Sequence, residues 1–306
     1  MKNKTIFGIF VCGTILILVL YMLYGRTLYF RAKENMEGKG FEDKFKSKEL
    51  NIDDLKSKND IYVLSRAGCN NKIRYTIGFK MIGDRLNKPV TVVWDKDNYA
   101  CRGTWSDVFT DIPGVNIIDK PIPNKEFDAS GEEMYQKLLN DSFKESNEEK
   151  LNKEACSYMN IKPDIEFEVD NFVRNNNIDK RTAIHIRGTD FIHYAKQRNT
   201  DPWTIDRVKY QMRLFKDANE KVLLLTDDPK IQKISKEIMG KNLVYYKELN
   251  EKESEQNFRP TTFKESFIEI LIASRAKKFL GTKFSSFSDT IELYRECNGK
   301  RNTKRI

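Results

Sequence analysis

Histidine is almost missing from this chain: two of 306 residues, His185 and His193. A zinc cluster built on imidazoles is therefore excluded, and the five cysteines do not replace it, because their spacings are far too long for a Cys-x-x-Cys pair. There is no internal repeat and no low-complexity domain. Long uncharged stretches are also lacking, with one exception at the amino terminus, Ile6 to Tyr24. The formal charge of +9 does not amount to a nucleic-acid footprint. Residues 1 to 24, 25 to 58 and 296 to 306 contribute +2, +2 and +3, so the globular remainder is almost balanced and no basic face for a duplex is expected.

What is present starts with the Ile6 to Tyr24 run. Its length suits one membrane span, with Lys2 and Lys4 before it and Arg26, Arg31 and Lys33 after it. No small-x-small cleavage site follows between Tyr21 and Lys33, so the segment reads as an uncleaved signal anchor and the lipid bilayer as a partner. Basic residues on both flanks leave the orientation open. The chain divides into a short tail (1–5), the span (6–24), a charged stem (25–58), an amino-terminal α/β half (59–160) and a carboxyl-terminal α/β half (161–306). Charge runs such as Lys44 to Lys48 read as solvated stem.

Hydrophobic periodicity gives an α/β fold. Ile61 to Leu64 and Val90 to Trp94 read as strands enclosing a helix that carries Ile73, Ile77 and Met81 on one face. Residues 120 to 160, dense in Lys, Glu and Asn, hold helix and loops between the halves. Strands follow near 182, 222, 243 and 278 with helices between them, and Phe263, Phe267, Ile270 and Leu271 form a stripe that is core. Such alternation implies parallel sheets with helices on both faces.

Three blocks in the second half carry chemistry. Ala183 to Asp190 is an apolar strand that delivers His185 and Arg187 to its carboxyl end, where open α/β sheets bind ligands. A guanidinium there stays charged and presents a planar fork to two phosphate oxygens. Lys221 to Pro229 is a second strand ending in Thr226, Asp227 and Asp228, with Pro229 suited to the first turn of a helix. Lys277 to Gly281 is a third, joined through Thr282 to Ser288 to a helix starting near Ser286, a ready anion site.

The order H-x-R, T-D-D-P, apolar helix and S-S-F-S resembles the GDP-fucose-dependent fucosyltransferase superfamily, which includes core, nodulation and protein O-fucosyltransferases. Lys162 to Ile165 and the amphipathic helix after it resemble the segment preceding the arginine strand there. Gly68-Cys69-Asn70-Asn71-Lys72-Ile73-Arg74 is similar to the family's G-x-G-N-R-L turn. Two departures stand out. Asn70 replaces the second glycine, and Asn tolerates a left-handed backbone. Arg187 is followed by Gly188, so this loop supplies one arginine, whereas core fucosyltransferase has two in a row.

The resemblance implies two Rossmann-like halves of the glycosyltransferase B type, a type II protein of the secretory pathway (endoplasmic reticulum or Golgi) with its catalytic part lumenal, and an inverting glycosyltransferase moving L-fucose from a GDP-sugar donor to a glycan or glycoprotein acceptor. Arg187 is then the catalytic cation that stabilises the departing diphosphate. Ser285 and Ser286 hold phosphate, His185 and Asp228 orient the nucleotide or its sugar, and Asn71 joins them from the first half. No cofactor and no divalent metal are expected, since Asp227 and Asp228 are adjacent rather than spaced. No acceptor base is identifiable, Asp190 being the nearest carboxylate in sequence. Cys12 lies in the span. The remaining Cys69, Cys101, Cys156 and Cys297 allow three pairings in an oxidising lumen, and Asn140-Asp141-Ser142 is a glycosylation sequon. A non-catalytic lectin-like or scaffold protein, or a transferase using another nucleotide sugar, are the alternative readings.

Overall fold

The computed structural model describes residues 50–96, 100–188, 202–250, 261–299 and 303–305. The span, most of the stem, Asp190 and His193 lie outside them. Among the described residues no helix is long and apolar enough to cross a membrane.

Two parallel sheets organise the described residues. The first comprises β1 (Ile61–Ser65), β2 (Val90–Trp94), β3 (Val115–Ile118) and β4 (Ala129–Gly131), in the order β3-β2-β1-β4. Ile61 pairs with Val90, Val90 with Val115 and Val63 with Ala129. The second contains β5 (Thr182–Ile186), β6 (Val222–Thr226), β7 (Leu243–Val244), β8 (Lys278–Gly281) and β9 (Thr303–Arg305), in the order β7-β6-β5-β8-β9. Thr182 pairs with both Val222 and Lys278. In each sheet the order reverses beside the strand that comes first in sequence. A crevice therefore opens at the carboxyl ends of β5 and β8, as the switch-point rule requires.

Side-chain alternation on β5 and β6 explains how the second sheet serves two cores. Ala183, Leu223 and Leu225 point into a core that also contains Ile61, Phe267 and Ile291. Ile184, Ile186, Val222 and Leu224 point the other way, onto Val208 and Met212 of α6 (Ile205–Asp217) and Ile231 of α7 (Pro229–Met239). The period of two places His185 on the same face as Ala183.

Two helices are more buried than a one-faced stripe would be. In α2 (Cys69–Leu86) Ile73, Ile77 and Met81 are buried, and so are Lys72, Arg74, Thr76 and Lys80. The cause is that α2 lies on β1 and β2 and is also covered by α3 (Tyr135–Phe143), α4 (Glu148–Tyr158) and α9 (Ser286–Cys297). In α8 (Phe263–Ser274), which carries a Thr262/Glu265 capping box, the expected stripe widens to nine of twelve residues because α5 (Pro163–Asn176) and α9 pack on it. Residues 52–57, part of the expected stem, form α1 (Ile52–Ser57), and Leu55 is buried in the core.

The open question of pairing is resolved as Cys69–Cys101 and Cys156–Cys297. The first ties the start of α2 to the loop after β2, the second ties α4 to the end of α9. Asn140 is exposed on α3.

Candidate active site

The site grows out of strand ends. At the end of β5 the buried His185 ring shares a hydrogen bond between Nδ1 and Ser288 Oγ (2.8 Å) and lies against Phe287, with ring centroids 4.6 Å apart. Burial, with the positive charges of Arg187 and Arg305, pushes its pKa down to about 3, so the ring is neutral at physiological pH. Thr282, just past β8, donates its hydroxyl to the His185 carbonyl (2.7 Å) and accepts from the Arg187 amide (3.3 Å). These two bonds tie the β5 and β8 ends together and fix where the Arg187 side chain departs.

Gly188 explains why a second arginine cannot follow. A Cβ at this position would come within 2.7 Å of Asp228 Cβ and 2.8 Å of Ile231 Cδ1. Its amide donates to Asp227 Oδ1 at 2.8 Å. The two aspartates thus have separate tasks. Asp228 is the N-cap of α7, accepting from the amides of Lys230 (2.8 Å) and Ile231 (3.4 Å), ahead of Pro229 in the first turn. It does not line the cleft, whereas Asp227 does.

Opposite lies the amino terminus of α9. Phe284 takes a left-handed backbone (φ 55°), an uncommon conformation for an aromatic residue, and this turns the chain so that Ser285 becomes the N-cap. Ser285 is fully buried, its side chain makes no cap bond, and its hydroxyl has no partner among the described residues. The first-turn amides of α9 are accordingly open to an anion.

His185, Arg187, Thr226, Asp227, Glu269, Ser285, Ser286, Phe287, Cys69 and Asn70 line one open cleft. Four of the six expected site residues, His185, Arg187, Ser285 and Ser286, are brought together there. Asp228 and Asn71 are not: the Asn71 amide nitrogen is spent on Glu132 Oε2 at 3.1 Å, and the helical phase of α2 turns Asn70 inward instead.

Glu269 is the residue that sequence reasoning missed. It sits on α8 in an otherwise apolar run from Phe267 to Ala273, and that lone carboxyl is the signal that marks it. It is buried, and burial, with the negative charges of Glu265 and Asp227 outweighing Lys247, pushes its pKa up to about 8. A buried carboxyl held this way gains from a ligand that offers hydrogen-bond donors. Among the described residues no group of three His, Cys, Asp or Glu side chains is placed to hold a metal ion.

The solved structure of NodZ alpha-1,6-fucosyltransferase co-crystallised with GDP superposes with a TM-score of 0.50 at 14% identity, covering 78% of this chain and 93% of that one. POFUT1 in its apo form gives 0.52 at 10% identity, with 82% and 99% covered, and POFUT1 in complex with GDP gives 0.51 at 11%, with 81% and 98% covered. The fold is that of NodZ and POFUT1. At these identities the likeness establishes the fold alone and leaves the activity to be argued from the cleft. No protein-family model matches the sequence, and no curated protein matches it.

Proposed function

We propose that the protein is a membrane-anchored, inverting glycosyltransferase that moves L-fucose from GDP-fucose to a hydroxyl of a glycan or glycoprotein. One observation carries the reading: a fixed cation, an uncapped helix amino terminus and a buried carboxyl converge on one cleft. Attack of the acceptor hydroxyl oxygen on the anomeric carbon breaks that carbon's bond to the β-phosphate oxygen; the electron pair leaves on GDP, and the acceptor's proton passes to the departing phosphate or to water. Arg187, with the Ser285 hydroxyl and the first amides of α9, meets that developing charge with groups already oriented for it. His185, neutral and pinned by Ser288, holds the Arg187 strand end in place rather than contributing charge.

Glu269 supports guanine among the bases. The Watson–Crick edge of guanine offers N1–H and the N2 amino group side by side, two donors that fit the two oxygens of a carboxylate, whereas adenine and uracil each offer one. Asp227 keeps the Arg187–Gly188 turn in place through the Gly188 amide. The reading includes no divalent metal, since the leaving charge is met by Arg187 and by α9. Ile6 to Tyr24 anchors the chain as a type II protein with the catalytic part lumenal, and an oxidising lumen suits the two disulfides.

A thermal-shift panel on the full-length protein in mild detergent tests the donor class. GDP and GDP-fucose raise the melting temperature, because a ligand that binds only the native state stabilises it by mass action. A shift with UDP-sugars and none with any guanine nucleotide defeats the assignment.

A further inference from the structure

Asn70 has no structural task of the usual kinds. It occupies the second position of α2 in right-handed helical backbone; the left-handed residue of the preceding turn is Ala67, at φ 65°. The expectation that Asn is there to tolerate a left-handed conformation is therefore corrected. It does not cap the helix either, since Gly68 is the N-cap. Yet its side chain is turned into the cleft at 6% exposure, and its Oδ1 has no hydrogen-bond partner among the described residues.

We propose that Asn70 Oδ1 accepts a hydrogen bond from a hydroxyl of the donor's sugar ring and is a specificity-determining residue contributed by the first half. The proposal rests on the GDP-sugar reading above. An amide oxygen can only accept, so phosphate oxygens, which carry no proton at neutral pH, cannot satisfy it. Position narrows the choice further. Arg74, four residues on and on the same face of α2, pairs with Asp289 at 2.9 Å and bonds the Ser286 carbonyl at 3.4 Å. The first turn of α2 thus stands over the first turn of α9, at the diphosphate end of the cleft, while Glu269 projects from α8 as the base-reading group. Beyond the diphosphate, away from the nucleoside, the next donors on the ligand are the sugar hydroxyls.

Calorimetric titration of GDP and of GDP-fucose into full-length wild type, Asn70→Ala and Asn70→Gly tests this. Both variants keep GDP affinity within about twofold, which also reports that they fold, and lose about tenfold for GDP-fucose, the scale of one hydrogen bond to a buried group. One singly deoxygenated GDP-fucose analogue loses a similar factor on wild type and nothing further on Asn70→Ala. Equal losses for GDP and GDP-fucose assign Asn70 to the ribose or the phosphates and overturn the proposal, as does no loss for either. Wild type that binds neither ligand instead defeats the donor assignment itself, and is told apart because no substitution is involved.

Discussion

If Glu269 recognises guanine as a carboxylate, GDP binding must deprotonate it, and its raised pKa sets the size of the effect. With a folded-state value of about 8, roughly one-eleventh of the free protein is ionised at pH 7 and about one-hundredth at pH 6. The affinity for GDP therefore climbs about ninefold from pH 6 to 7 and about fivefold from pH 7 to 8, and levels off above about pH 9. Proton release on binding, read from the dependence of the calorimetric heat on buffer ionisation enthalpy, approaches one proton at pH 6.5. Glu269→Gln keeps the shape but presents an N–H to the guanine N2 amino group, so it binds weakly with a flat pH profile. A flat profile in wild type, or a Gln variant that retains the slope, refutes the assignment. The same residue acts on stability with the opposite sign. Its folded pKa lies above the unfolded value, so folded protein holds a proton that the unfolded chain has released, and stability from this group falls as pH rises from about 4.5 to about 8.

Three further outcomes follow from the cleft and the amino terminus. Arg187→Lys lowers turnover on the order of a hundredfold or more with the melting temperature nearly unchanged, because lysine keeps the charge and loses the fork, while Arg213→Lys on the exposed face of α6 changes little in parallel rate assays. Gly188→Ala costs about 1–3 kcal/mol in denaturant unfolding, since its Cβ would overlap Asp228 and Ile231. Full-length protein stays in the membrane pellet after carbonate washing and retains Met1, whereas secreted material beginning near Arg26 contradicts the anchor.

The second half of the fold was legible because β5, β6 and β8 are apolar runs that end abruptly in polar residues, and because Pro229 and Ser286 sit at helix starts. β4 and β9, three residues each, carry no period long enough to read; they are strands because β1 and β8 offer free edges to pair with. Within the site, local chemistry misdirected two assignments. Asp228 precedes a proline at a helix start, which is the position of an N-cap, so the sequence held the reason to prefer Asp227 for the cleft. Asn71 against Asn70 is a question of helical phase, about 100° of rotation, which depends on how α2 seats between β1, β2 and α9. Glu269 was hidden by the apolar stripe around it, and the cysteine pairing depends on contacts 32 and 141 residues apart in sequence.

The central claim, that this cleft breaks the sugar–phosphate bond of a GDP-sugar, is tested most directly by incubating the full-length protein with a panel of nucleotide sugars and measuring the free nucleotide released from each, with EDTA present throughout. The account predicts GDP release from GDP-fucose in preference to the UDP-, CMP- and ADP-linked sugars, abolished by Arg187→Lys and unaffected by the chelator. Turnover of another nucleotide class, activity that EDTA removes, or GDP binding without turnover in the presence of glycan and glycoprotein acceptors contradicts it.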